Sequence, residues 1–303
     1  MGLIKKVNKR IQDQTQSEAP AKTIGKITSD TAASLIKELS GGEVRYSKKL
    51  IDNIIVFSNA SGGTGASTLV NNIAWLANNK GLRVAVIDLN IMTPIQHLYL
   101  GVKQEIQKTD FAGYLLGKNS LGEAIEQTKH GISLMYANNR GLMETINCET
   151  DQAVANYTEA IMKLRQLYDI VLIDCPMQIN NMLYNTAFYL ADTVYLVWDE
   201  SIGSIANTEK IRRNLASSGI DTYTKMRVIL NKRTTVQYTK YPFEKLNIEL
   251  AGILPFESDI IQSSLKSEIF VDKGSSRSKN SGIFYNKMVE ITDKILEIGG
   301  YTK

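Results

Sequence analysis

Apolar runs of four to six residues alternate along the chain with longer stretches of helical periodicity. The runs that we predict as strands are Ile54–Phe57, Arg83–Asp88, Ile132–Tyr136, Ile170–Asp174, Thr193–Trp198, Arg227–Asn231 and Leu250–Leu254. The predicted helices span residues 66–79, 152–167, 181–191 and 203–217, a capping box at Ser120–Glu123 opens another, and two more follow the last strand. Strands that are apolar throughout belong to a parallel sheet covered by helices on both faces. The pattern predicts an α/β fold with a doubly wound, mostly parallel sheet and a short N-terminal extension.

The start of the chain lacks this alternation, and we divide the sequence into residues 1–12, 13–50 and 51–300. The apolar positions that recur at helical spacing in the first part are Leu3, Ile4, Val7 and Ile11. With basic residues between them they predict a basic amphipathic arm, which can lie on a membrane surface or dock on a partner. A disordered basic tail is the alternative. Residues 13–50 are predicted to be a linker with one short helix, and residues 51–300 to be the globular domain.

Composition and charge narrow the class of protein. The content of 43% hydrophobic and 22% charged residues is ordinary for a globular protein, and no apolar run approaches the ~18 residues that span a bilayer. Residues 1–50 carry ten Lys/Arg and five Asp/Glu, a net charge of +5, whereas the other 25 basic and 26 acidic residues leave −1. Because the domain is nearly neutral, DNA is a less favoured partner. Two cysteines, Cys148 and Cys175, cannot build a disulfide framework and predict a reducing, cytoplasmic compartment.

A glycine-rich segment joins the first predicted strand to the first predicted helix. It reads Ser61-Gly62-Gly63-Thr64-Gly65-Ala66-Ser67-Thr68. A strand, a loop of this kind and a helix together bind phosphate, because backbone N–H groups and the helix N-terminus face the anion and the glycines let it approach. The simpler alternative is that the glycines only form a tight turn. Composition and position favour the phosphate site.

One family compatible with this loop is the short-chain dehydrogenases, which use NAD(P). The segment Gly63–Gly65, with Thr68 at the third glycine's place, resembles a dinucleotide loop, and Asp88 ends the second strand where a ribose-binding acid belongs. The dehydrogenases also need a Tyr-x-x-x-Lys helix, and Tyr241–Lys245 matches this spacing. Pro242 lies inside this match and argues against a helix there. The dehydrogenase interpretation therefore stays an alternative.

The other family is the P-loop NTPases, whose template G-x-x-x-x-G-K-[ST] is met only at Gly65 and Ser67. Further segments nevertheless follow in the order of the deviant Walker A ATPases, the ParA/MinD superfamily, which the chain resembles from about Ile54 to Leu296. These segments are Ala85–Asn90 (the A′ segment), Ile170–Asp174 (a Walker B strand), Asp174–Pro176 (the Asp-x-Pro switch), Leu230–Lys232 (the strand end whose Asn reads adenine) and Gly252–Asp259 (the late Ile-Pro-x-Asp stretch). The resemblance implies a P-loop NTPase fold of the SIMIBI/MinD type.

The same resemblance implies a site for ATP or ADP with Mg²⁺. The implied nucleotide-binding residues are Gly62, Gly63, Thr64, Gly65, Ala66, Ser67, Thr68, Asn231 and Pro255. The implied metal-supporting residues are Ser67, Asp88 and Asp174.

Three positions depart from the superfamily pattern in ways that bear on hydrolysis. Ser61 and Ala66 replace two lysines that contact phosphates, and Asn90 replaces an acid that helps to position the attacking water. Phosphoryl transfer depends on positive charge and an oriented nucleophile, and one such contact is worth ~10²–10³ in rate. We therefore expect MgATP binding with little or no turnover, and we name no catalytic residue.

Within the superfamily the loop most resembles the CpaE/TadZ branch, which marks cell poles and helps to localise pilus or secretion machinery. The resemblance implies a homodimer that positions a pilus, secretion or conjugation assembly, in the cytoplasm or on the inner face of the cell membrane through residues 1–12. The alternative within the fold is an active plasmid or chromosome partition ATPase. Arg212 and Arg213 on the predicted helix 203–217 would be its candidate DNA contacts, although a solvated helix face is the simpler interpretation.

Overall fold

The structure is a computed structural model that describes residues 52–103, 110–138, 147–176, 181–234, 241–273 and 279–301. The predicted arm (1–12) and the linker with its short helix (13–50) lie outside these residues.

One mixed sheet of eight strands organises the described residues. The strands are β1 Ile54–Asn59, β2 Val84–Asp88, β3 Ile125–Gln127, β4 Ser133–Met135, β5 Ile170–Cys175, β6 Thr193–Trp198, β7 Met226–Arg233 and β8 Glu249–Pro255. They lie in the order β3-β4-β2-β5-β1-β6-β7-β8, and every neighbouring pair is parallel except the β3–β4 pair. This arrangement confirms the predicted doubly wound, mostly parallel sheet.

Ten α-helices connect or follow the strands in the described residues. They are α1 Ala66–Asn79, α2 Gln96–Tyr99, α3 Phe111–Leu115, α4 Leu121–Ala124, α5 Asp151–Leu167, α6 Met182–Leu190, α7 Ile202–Ser217, α8 Tyr241–Leu246, α9 Asp259–Leu265 and α10 Lys279–Ile298. The four long helices predicted between strands (α1, α5, α6 and α7) match within one residue at each end. Two short 3₁₀ helices, Asn147–Glu149 and Phe270–Lys273, complete the set. Within the described part of the chain, none of the helices has the length and apolarity needed to cross a membrane.

The hydrophobic core lies on both faces of the sheet, as the apolar strands predict. Along β1, Ile54 and Val56 pack into the core under α5, α6 and α7, whereas Ile55 and Phe57 pack into the core under α1 and α10. Because both faces of β1 are covered, polar groups are confined to the strand ends. The carboxyl ends of β1, β2, β5, β6 and β7 therefore meet at one edge, on either side of the point where the strand order reverses. In open α/β sheets this is the position where ligands bind.

Two sequence predictions were incomplete or wrong. The capping box at Ser120 is confirmed, since Ser120 accepts from the Glu123 amide and Glu123 accepts from the Ser120 amide. However, α4 lasts a single turn, and the chain continues into β3, a strand that we did not predict. The second error is Pro242, which lies in the first turn of α8. Proline is tolerated there because the N–H groups of the first turn have no partner within the helix.

Candidate functional site

The glycine loop lies between the end of β1 and the start of α1, and an asparagine holds it from within. The Asn59 side-chain oxygen accepts hydrogen bonds from the Gly65 amide at 3.1 Å, the Ala66 amide at 2.9 Å and the Thr64 hydroxyl at 2.7 Å. The amides of Ser67 and Thr68, also in the first turn of α1, donate to no group among the described residues. Since the N-terminal amides of a helix attract anions, these two amides are the ones left to receive a phosphate.

A second asparagine forms a hydrogen bond to the outer side of the same loop. The buried Asn231 side chain at the end of β7 donates to the Thr64 carbonyl at 2.8 Å. Gly65 adopts φ +104°, and a Cβ atom there would lie 2.5 Å from the Asn231 side-chain nitrogen. Glycine is therefore required at position 65 for both its backbone conformation and its lack of a side chain. The resemblance assigned Asn231 to adenine, and the structure places its amide nitrogen on the loop itself.

A cleft of about 330 Å³ opens beside the loop. Its walls are formed by Asn59, Gly63, Gly65, Ala66, Ser67, Thr68, Ile95, Tyr99, Asn231, Lys232, Pro255, Phe256, Glu257, Ile260, Ile261 and Ser264. Seven of the nine residues predicted to bind nucleotide, all except Gly62 and Thr64, thus line one cleft. The Glu257 side chain is 7% exposed, and its Oε2 atom has no hydrogen-bond partner among the described residues. A buried acceptor of this kind favours a ligand that carries hydroxyl or amino donors.

The three residues predicted to support a metal lie together below the loop. Asp88 and Asp174 stand opposite each other in the β2–β5 register and are both buried. Burial, and then the nearby Asp174 charge, raise the pKa of Asp88 to about 7. Burial also raises the pKa of Asp174, although the hydrogen bond from the Gln96 side chain and, to a smaller extent, the Ser67 side chain work against this rise. A divalent cation beside two buried carboxylates would favour their charged forms.

Local hydrogen bonds show which of the two carboxylates is more available. Asp88 accepts from the amides of Ile95 at 2.7 Å, Gln96 at 2.8 Å and Asn90 at 3.1 Å, so its oxygens are largely occupied. Asp174 instead accepts from the Gln96 side chain at 2.7 Å. The same Gln96 nitrogen donates to the Ser67 carbonyl at 2.9 Å and so joins strand β5 to the glycine loop. In the described residues no group of three or more His, Cys, Asp or Glu could hold a metal by itself. A cation here would need the Ser67 hydroxyl, water or ligand oxygens as well.

The three divergent positions supply no positive charge to the loop. The Ser61 hydroxyl lies 3.1 Å from the Ser204 hydroxyl, which donates to Asp199 at 2.6 Å. Burial alone would raise the pKa of Asp199, but hydrogen bonds from serine side chains outweigh it and hold the pKa below its ordinary value. Ala66 is fully buried. Asn90 bonds to Thr93 in a local turn at 2.9 and 3.2 Å. The start of the loop thus faces an acidic group where a lysine was expected.

Several residues that were considered as functional candidates in the sequence do not line the cleft. Arg212 is buried, donates to the Leu246 carbonyl and lies 4.3 Å from the Tyr223 ring centroid, while Arg213 pairs with Glu209. Lys245, the lysine of the dehydrogenase alternative, is not among the residues that line the cleft. No separate role was predicted for Asn59, Gln96 or Glu257. Only the polar character of Asn59 at the end of a buried strand was a usable signal.

Comparison with known proteins identifies the family. An AAA domain family model matches residues 52–218, more than half of the chain. The septum site-determining protein MinD of Thermotoga maritima is 27% identical over 238 residues, which cover 75% of this chain and 84% of that protein. The MinD of Bacillus subtilis is 24% identical over 222 residues, which cover 71% and 80%.

Solved structures show the same fold. The MinD of Pyrococcus horikoshii, solved in complex with Mg-ADP, has a TM-score of 0.68 at 20% identity, with 82% of this chain and 97% of that chain covered. A ParA family ATPase from Chlorobium tepidum has a TM-score of 0.66 at 17% identity, with 80% and 97% covered. The chain therefore belongs to the AAA domain family within the ParA/MinD superfamily of P-loop ATPases, which excludes the dehydrogenase alternative.

Proposed function

We propose that the chain binds ATP or ADP with Mg²⁺ in the cleft beside the glycine loop and acts as a spatial organiser that positions a protein assembly. The observation that carries the first part is the composition of the cleft. It contains the helix amides of Ser67 and Thr68 and the buried Oε2 atom of Glu257, none of which has a hydrogen-bond partner among the described residues. The amides suit a phosphate chain, and the carboxylate suits the hydroxyl or amino groups of a nucleoside.

The residues present fit a magnesium nucleotide. The Ser67 hydroxyl would take the ion, with Asp174 and then Asp88 supporting it directly or through water. When bound, Mg²⁺ would neutralise phosphate charge and the paired carboxylates. Mg-ADP in the P. horikoshii MinD and the ATP-binding protein of Methanocaldococcus jannaschii, 22% identical over 241 residues, support this assignment.

Calorimetric titration tests the nucleotide site. We expect the wild-type protein to bind MgADP and MgATP, and Ser67→Ala to weaken both roughly 10- to 100-fold, because changes around a bound metal typically cost this much affinity. Removal of Mg²⁺ with EDTA should abolish the difference between the two proteins. Ser61→Ala is the matched control, since this serine lies in the same loop but bonds to Ser204. No binding by the wild-type protein at millimolar ATP would refute the site.

The organising role rests on the superfamily. The MinD relatives are septum site-determining proteins, and ParA relatives share the fold. The resemblance of the loop to the CpaE/TadZ branch supports a pilus, secretion or conjugation assembly as the cargo. A homodimer is the proposed active form. Arg213 pairs with Glu209, and Arg212 is buried and donates to the Leu246 carbonyl, so both arginines considered as DNA contacts of a partition ATPase are engaged within the chain. Lys210 is the exposed basic residue of α7 that has no ion pair among the described residues. DNA binding that requires ATP and falls steeply with salt would favour the partition role instead.

A localisation experiment tests the organising role and the proposed part of residues 1–12. In the cells that encode the protein, a fluorescent fusion should form foci at a pole or at the membrane. Replacing Lys5, Lys6 and Lys9 by Glu should disperse them, because each basic residue near an anionic membrane contributes about 1 kcal/mol of attraction. The control replaces Lys22, Lys26 and Lys37 by Glu, three lysines of residues 13–50. Uniform wild-type fluorescence would argue against the organising role, and equal dispersal by both variants would argue against residues 1–12.

A further inference from the structure

Lys232 is a basic residue at the end of β7 that the sequence predictions left without a role. Its backbone has φ +55°, a left-handed conformation that costs a non-glycine residue energy unless its surroundings hold it there. The side chain is exposed and its ammonium group donates to the carbonyl oxygen of Gly63, in the glycine loop. The preceding residue, Asn231, donates to the next loop carbonyl, that of Thr64. Two successive residues of β7 thus hold two successive residues of the loop.

The ammonium group retains capacity for a further partner. Among the described residues that line the cleft, Lys232 is the single lysine or arginine. It forms no ion pair with any described carboxylate, Glu257 in the same cleft included. An ammonium group has three N–H donors, and the Gly63 carbonyl accepts from one of them. The remaining donors of this exposed cation, which lies beside two helix amides that have no partner in the described part of the chain, are suited to a phosphate oxygen.

The loop itself supplies no such cation, since Ser61 bonds to a serine and Ala66 is buried in the core. We infer that Lys232, which reaches the glycine loop from strand β7, is the phosphate-binding cation of this cleft and replaces the charge that the loop lacks. This inference rests on the proposed nucleotide site and assigns one of its ligands. Because the contact is with phosphate, its contribution grows with the number of phosphates and is absent for the nucleoside.

The test compares two neighbouring basic residues. Arg233 follows Lys232 and carries the same charge, but it lines a separate groove of about 560 Å³ between β8 and α10. Titrations of adenosine, AMP, ADP, ATP and inorganic tripolyphosphate are made with the wild-type protein, Lys232→Gln, Lys232→Arg and Arg233→Gln. Lys232→Gln should weaken ATP and tripolyphosphate roughly 10- to 100-fold, because a charge-assisted contact is lost. It should leave adenosine nearly unchanged and should make ATP binding less dependent on salt. Lys232→Arg should retain most of the affinity, and Arg233→Gln should resemble the wild-type protein.

Each contrary outcome has a distinct meaning. Equal losses in Lys232→Gln and Arg233→Gln would overturn the inference, because they would show only a general effect of net charge. Equal losses for adenosine and ATP in Lys232→Gln would also overturn it, because they would show that Lys232 shapes the cleft without contacting phosphate. A wild-type protein that binds tripolyphosphate but no nucleotide would refute the proposed nucleotide site. In that case weaker tripolyphosphate binding by Lys232→Gln would support the role of Lys232, and unchanged binding would overturn it. Binding of neither would refute both. Thermal unfolding of each variant excludes a folding defect as the cause.

Discussion

Gly65→Ala should abolish nucleotide binding. The new methyl group would lie 2.5 Å from the Asn231 side-chain nitrogen, and residue 65 would still need its φ of +104°. Either the backbone leaves this conformation or Asn231 withdraws from the Thr64 carbonyl, and in both cases the loop loses one of its anchors. Strain of this kind costs about 1–3 kcal/mol, so we expect the free energy of unfolding to fall by that amount. Calorimetric titration with MgADP and urea unfolding measure the two effects.

Gly62→Ala is the matched control for this prediction. Gly62 lies in the same loop, does not have a left-handed backbone, and a Cβ atom there would meet nothing within 4 Å. We expect its stability and its affinity for MgADP to stay close to those of the wild-type protein. If Gly65→Ala and Gly62→Ala bind MgADP equally well, the hydrogen bond from Asn231 to the Thr64 carbonyl is not needed for binding.

Restoring the three divergent positions should increase ATP hydrolysis by a factor of about 10²–10³. The variant carries Ser61→Lys, Ala66→Lys and Asn90→Asp together. Positive charge then returns to the phosphates and a carboxylate returns to the A′ segment, which are the contributions that phosphoryl transfer needs. Ala66 is buried but also lines the cleft, so a lysine side chain can extend into that space. Phosphate release under single-turnover conditions measures the rate, and the wild-type rate is expected to be near the background.

Two controls separate this gain from a change in affinity or a contaminant. Adding Asp174→Asn to the restored protein should remove the new activity, because the carboxylate that supports Mg²⁺ is lost. The single-turnover rate is measured at protein concentrations high enough to bind all of the MgATP, so tighter binding alone cannot raise it. A wild-type protein as active as the restored variant would show that the divergent positions do not limit hydrolysis.

The strands that are buried on both faces could be predicted from sequence, because an unbroken apolar run such as Ile170–Ile173 has few alternatives in a covered parallel sheet. The failures have local causes. Strand β3 is three residues long and pairs antiparallel only with β4. Its formation depends on this pairing, which the local sequence pattern does not indicate. The α8 helix survives Pro242 because the proline lies in the first turn.

The candidate site was predictable in location but not in its internal contacts. Its glycines and carboxylates lie at the ends of strands, and these ends can be located from the hydrophobic pattern of the sequence. The hydrogen bond from Asn231 to Thr64 joins residues 167 positions apart, and the hydrogen bond from Gln96 to Asp174 joins residues 78 apart. Such pairs depend on strand order, which brings β5 and β7 to opposite sides of β1. The sequence could therefore indicate which loop is the candidate phosphate site but not which side chains hold that loop in place.

The two asparagines that hold the glycine loop, Asn59 from within and Asn231 from outside, have a kinetic consequence. Their hydrogen bonds hold Thr64, Gly65 and Ala66 without a ligand, so we expect that anion binding does not require this part of the loop to fold. Association should then proceed as a single step whose rate rises linearly with ligand concentration, and differences in affinity between ligands should appear mainly in how fast each one leaves. Selectivity between phosphate ligands at this loop would then lie in their residence times.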